Sequence, residues 1–82
     1  MEKRIGAAII LIENRRSVEE INSILSAHSS IILGRQGMPL REKGISVINL
    51  ILEGLPEQIS ALTGKIGRLE GVQVKSVLTK YQ

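Results

Sequence analysis

The arginines are the residues of this chain best suited to binding chemistry, and four of the six gather in two places. Arg35 and Arg41, with Lys43, fall in the segment Arg35–Gly44, where Glu42 is the single acid and Gly37, Pro39 and Gly44 interrupt any regular period. Arg15 and Arg16 follow Asn14 and precede Ser17, just ahead of a helical pattern. A guanidinium offers a planar fork that grips a carboxylate or phosphate through two parallel hydrogen bonds. A helix start beside it adds free backbone N–H donors aimed at the same anion. Asn14, Arg15, Ser17, Arg35, Gly37 and Arg41 are therefore the candidate residues for holding a small anionic effector. A plainer reading stands beside this one. Charges on a hairpin tip keep it soluble and discourage edge pairing, and glycines supply turn dihedrals. Residue types alone leave both open.

Other chemistries find less support. His28 is the only histidine and cysteine is absent, which excludes disulfides, iron–sulfur ligation and thiolate metal sites. A lone histidine ending a helical pattern suits the negative end of the helix dipole better than a metal, which needs several ligands. Ser17, Ser46 and Ser60 have no identifiable base. Glu19, Glu20, Glu53 and Glu57 offer no acid–base pair across a cleft, and no phosphate-binding glycine loop of recognised spacing is present. The expectation is a non-enzymatic protein with no cofactor and no metal. Lys65, Arg68, Lys75 and Lys80 are a dispersed basic stripe. Without aromatic platforms for bases they read as solvated surface, and direct DNA binding is not expected.

Hydrophobic period defines the elements that must position the two arginine groups. Lys3–Glu13 is apolar on both parities, with Ile5, Ala7, Ile9 and Leu11 on one and Ala8, Ile10 and Ile12 on the other. Such a run suits a central strand covered on both sides. Glu13 to Arg16 breaks it, and Ser17 with Glu20 spells a capping box. Val18, Ile21, Ile24, Leu25 and His28 predict a helix of about three turns. Ser30–Gln36 is a short second strand, Arg35–Gly44 an irregular hairpin tip, and Gly44–Glu53 a third strand apolar on both faces. Pro56 suits the first turn of a second helix, whose stripe is Ile59, Leu62, Ile66 and Leu69 and whose C′ residue is Gly71. Gly64 and Gly67 within it each cost about 1 kcal/mol relative to alanine, a cost that close packing would explain. Val72–Thr79 alternates as a half-exposed edge strand, and Lys80-Tyr81-Gln82 is a tail. The order β-α-β-β-α-β predicts a ferredoxin-like α+β fold, a four-stranded antiparallel sheet with two helices on one face.

The 82 residues make one domain, spanning 1–82, whose 43% hydrophobic content includes Tyr81 as the sole aromatic. A core of small aliphatic pieces in so short a chain favours assembly with further copies. Two helices cover one sheet face only, yet the first and third strands are apolar on both. Sheet-to-sheet contact in a homo-oligomer, a dimer or tetramer, would bury the second face. The net charge of +3 is modest and fits a soluble domain with a mild preference for anions. The opening apolar run stops at Glu13, short of the ~20 residues that span a bilayer, and no signal-cleavage pattern follows. A cytoplasmic protein with no membrane partner is expected.

The residues GRQGMPLREKGISVINLILEG (Gly34–Gly54) and ISALTGKIGRLEGVQVKS (Ile59–Ser76) carry a resemblance that extends from Met1 to Lys80. They resemble the small ACT-like proteins described as regulators of the iron-only hydrogenase system. That family is in turn similar to the ligand-sensing C-terminal domain of nickel-responsive repressors. The resemblance implies an ACT-like fold, assembly through the sheets and a regulatory or sensor role, with a small effector expected at a subunit interface, held by the hairpin tip and the turn before the first helix. It does not bring nickel with it. Ile31, Ile32 and Leu33 stand where the repressors place histidines, and Ile45-Ser46-Val47 where they place a cysteine. Nor does it bring the repressors' DNA-binding ribbon-helix-helix, since this chain opens directly on its first strand. A ligand-free module that docks on a partner protein is the alternative.

Overall fold

The apolar run near the start of the chain forms β1 (Arg4–Ile12), and its alternation fixes its place. Ala8, Ile10 and Ile12 are buried, while Ile5, Ala7, Ile9 and Leu11 face the other way and keep exposure. The remaining elements are α1 (Val18–Ala27), β2 (Ile32–Leu40), β3 (Ile45–Gly54), α2 (Pro56–Gly67) and β4 (Val72–Leu78). This computed structural model describes residues 2–81; Met1 and Gln82, the end of the expected tail, lie outside them. The strands form one antiparallel sheet in the order β2-β3-β1-β4, with the two doubly apolar strands at its centre.

Both helices pack on the same face of that sheet. Ile21 and Leu25 of α1 and Ile59, Leu62 and Ile66 of α2 share one core with Ile10, Leu50 and Leu52. The α2 stripe therefore works as its spacing predicts, up to Ile66. At the start of α2 the Leu55 N–H donates to Gln58 Oε1 at 2.8 Å, and Pro56 takes the first turn, where its missing N–H costs nothing.

Three local readings change. β2 continues to Leu40, so Arg35 and Gly37 lie in a paired strand, and the tip shrinks to the 3₁₀ turn Arg41–Lys43 closed by Gly44 at φ 70°. Gln36 to Leu40 pair in register with Asn49 to Ile45. An edge strand tolerates this polar composition and Pro39's missing donor, and a bulge between Ile32 and Gly34 absorbs one residue. Second, Ser17 does not cap α1. A 3₁₀ turn, Arg15–Ser17, precedes the helix and holds Ser17 at φ −82°, ψ −8°, so its side chain makes no cap bond. Asn14 caps instead, extended at φ −117°, with Oδ1 accepting from the Arg16 N–H at 2.9 Å. Third, α2 ends at Gly67, and Gly71 (φ 69°) turns the chain into β4.

Candidate functional site

Arg15 and Arg41, far apart in sequence, arrive at the same place. The 3₁₀ turn after β1 carries Arg15, and the short turn closing the β2–β3 hairpin carries Arg41. Between them lies a cleft of about 350 Å³ walled by Ile12, Val18, Pro39, Gly44, Ile45 and Ser46. It sits on the helix side of the sheet, where the N-terminal turn of α1 overhangs the end of the hairpin. A groove of about 260 Å³ continues from it along β2, sharing Ile12, Val18, Pro39 and Ser46 and adding Asn22, Arg35, Gly37 and Ile48. Arg35 Nη2 donates to Asn22 Oδ1 on α1 at 3.2 Å, which holds that guanidinium across the groove. A Cβ built on Gly37 would meet nothing within 4 Å, so the groove is open beside it.

This arrangement has a definite chemistry. Its walls combine the aliphatic side chains of Ile12, Val18, Pro39 and Ile45 with polar groups, and its charges are guanidinium groups. The N-terminal end of α1 adds partial positive charge on the same side. An anion with a small apolar body would find both its parts matched.

The six candidate residues separate into two groups. Arg15 and Arg41 share the cleft, and Arg35 and Gly37 line its extension. Asn14 and Ser17 have their polar atoms engaged elsewhere. Ser17, 5% exposed, donates from Oγ to the Glu70 carbonyl at 2.8 Å, and Asn14 Nδ2 donates to Glu70 Oε1 at 3.4 Å. With the Glu13 N–H donating to the Gly71 carbonyl at 2.7 Å, these bonds lash the β1–α1 turn to the α2–β4 turn. They hold Arg15's turn in place without pointing into the cleft.

Sequence reasoning missed Val18, Asn22 and Pro39. Val18 occupies a stripe position of α1 but stays 37% exposed, because it overhangs the cleft instead of the core. Asn22 lies on the polar side of the helix and carries no signal that distinguishes it.

The remaining candidates are dispersed. His28 caps α1 at its C-terminal end, with Nε2 3.3 Å from Lys65 Nζ. Among the described residues no three His, Asp or Glu side chains gather as a metal site would need. Lys75 pairs with Ile9 on the face away from the helices, whereas Lys65 lies in the helix layer beside His28, so the basic stripe does not share one surface. No helix among the described residues is long and apolar enough to cross a membrane.

Comparison with known proteins adds to this geometry. A family model described as "TM1266-like: Iron-only hydrogenase system regulator, putative" matches residues 4–76. Among solved structures, the uncharacterized protein TM1266 from Thermotoga maritima is 36% identical with a TM-score of 0.91, covering 96% of this chain and 100% of that one. The ACT domain from GTP pyrophosphokinase of Chlorobium tepidum is 19% identical with a TM-score of 0.74, covering 94% and 89%. The C-terminal domain of the MgtC protein from Mycobacterium tuberculosis is 12% identical with a TM-score of 0.70, covering 95% and 90%. These last two share the fold, which is ACT-like and ferredoxin-like. No curated protein matches the sequence.

Proposed function

The chain belongs to the TM1266-like family of iron-only hydrogenase system regulators, and from that membership we propose that it is a non-enzymatic, cytoplasmic sensor working as a homo-oligomer. Its input is a small anion bound between Arg15 and Arg41, and its output is control of the hydrogenase system, at the level of transcription or of a partner protein. The observation that carries the sensor reading is that two arginines from separate turns line one cleft. Surface charges that served only solubility would have no reason to meet over a shared concavity.

Binding would place the anion against both guanidinium groups while Ile12, Val18 and Ile45 enclose its apolar part. Since Arg15 rides on the β1–α1 turn and Arg41 on the hairpin, an occupant ties these two elements together. That linkage is the physical basis for a signal, because a ligand shifts only those conformations to which it binds unequally.

The test is an NMR titration with two probes, inorganic phosphate and isovalerate. Backbone amide shifts should concentrate at Val18, Arg41 and Gly44. Charge-assisted hydrogen bonds are worth about 1.5–3 kcal/mol each, so Arg15→Ala with Arg41→Ala should weaken binding by at least about tenfold. Arg35→Ala should weaken it less, because that side chain is already tied to Asn22. Unchanged affinity in the Arg15/Arg41 double variant would remove the site. No binding by either probe would favour the ligand-free docking module.

A further inference from the structure

Arg15 and Arg41 mark one end of a longer trough. The groove that continues their cleft has Gly37 and Ile48 on its floor, a directly opposed pair of β2 and β3, and Val18 and Asn22, one turn apart on α1, along its helix wall. Ile12, Pro39 and Ser46 line both hollows, which makes the two continuous. A third guanidinium stands at the far end. Arg35 gives one N–H to Asn22 Oδ1, and a guanidinium has five to give, so the fork is oriented and still has donors for a ligand. Arg35 lies four residues from Pro39 along β2, about 13 Å at the rise of an extended strand. Positive charge therefore stands at both ends of the trough, with aliphatic side chains between them. No carboxylate balances it. Glu19 and Glu20 in the first turn of α1, and Glu42 beside Arg41, line neither hollow.

We propose that the occupant of this trough is a linear dicarboxylate with an unbranched apolar spacer, one carboxylate held by Arg15 and Arg41 and the other by Arg35. This rests on the effector reading above and names the class of ligand. A monoanion leaves Arg35 unused. A zwitterion brings an ammonium group among three guanidinium groups with no acid to receive it, a like-charge contact that selects against it. Gly37 sets the room for the spacer. It has no positive φ to preserve, and a Cβ there meets nothing within 4 Å, so a larger side chain is accommodated by the strand and fills the groove. Valine suits an edge strand well, which makes Gly37→Val a block of the trough that keeps the fold.

The test is a titration of the full chain, followed by NMR, with four probes: isovalerate, valine, succinate and suberate. Valine is isovalerate with an ammonium group added, and suberate is a longer succinate. Wild-type protein should bind suberate about fivefold or more tightly than isovalerate, succinate without that gain, and valine more weakly than isovalerate. Suberate should shift the amides of Gly37 and Asn22, which isovalerate leaves in place. Arg35→Ala and Gly37→Val should each remove most of the gain for suberate and cost isovalerate less. Isovalerate binding that suberate does not exceed would overturn the two-ended site and leave the Arg15–Arg41 cleft standing. Valine binding as tightly as isovalerate would overturn the exclusion of zwitterions, and with it the ligand class. Binding by none of the four would overturn the effector reading itself. The comparison of probes needs no variant, so the proposal stays testable if either substitution unfolds the chain.

Discussion

At φ 69°, Gly71 points the place of its missing side chain at Asn14, and a Cβ there would lie 2.6 Å from the Asn14 Cβ. Neither the dihedral nor the space admits another residue, so Gly71→Ala should cost about 2–4 kcal/mol by adding left-handed strain to overpacking. Urea denaturation would measure it. Ser17→Ala removes the donor to the Glu70 carbonyl, and should cost about 1–3 kcal/mol because the carbonyl loses its partner in a part-buried site. Both substitutions touch the lashing between the two turns, whereas Arg41→Ala, at an exposed tip, should leave stability within about 0.5 kcal/mol. Stability and ligand affinity thus separate at neighbouring positions. Loss of affinity without loss of stability marks the cleft, and the reverse marks its support.

The helices and strands differ in how openly the sequence declares them. β1 and β3 are legible because both their parities are apolar, and α2 because Ile59, Leu62 and Ile66 step at helical spacing into the core. The far half of β2 is not legible. Its residues Gln36 to Leu40 are held by pairing to β3, and an edge strand can be written in polar residues, glycine and proline that equally spell a loop. The start of α1 misleads for a different reason, since the extra 3₁₀ turn moves the capping role from Ser17 to Asn14. Of the cleft, the arginines were visible in the sequence, but their convergence depends on how far β2 extends. The helix glycines divide as well. Gly67 approaches Val74, where a Cβ would come within 3.2 Å of Cγ1, whereas one on Gly64 would meet nothing within 4 Å. Close packing explains the first and not the second. Gly64→Ala should therefore stabilise the protein by about 0.5–1 kcal/mol, read as a raised denaturation midpoint with an unchanged slope.

For the whole molecule, the sheet separates two surfaces of different character, the helix side with its basic cleft beside the hairpin end and a largely aliphatic plane on the other side. If the plane is buried between copies, folding and association are one equilibrium, and Tm should rise by several degrees for each roughly tenfold increase in protein concentration. A Tm independent of concentration would mean that the single chain is stable without its plane covered. The strand order has a further consequence, for the time course of folding. β1 pairs with β4 from Gly6 opposite Leu78 to Ile12 opposite Val72, so the sheet closes only by joining segments from nearly opposite ends of the domain. Such distant pairings place folding in the slower range, milliseconds to seconds, set by loop closure more than by helix formation. During synthesis on the ribosome, β1 must wait with one edge unpaired until Val72–Leu78 has emerged, and over that interval its aliphatic side chains are open to chaperones and to other nascent chains.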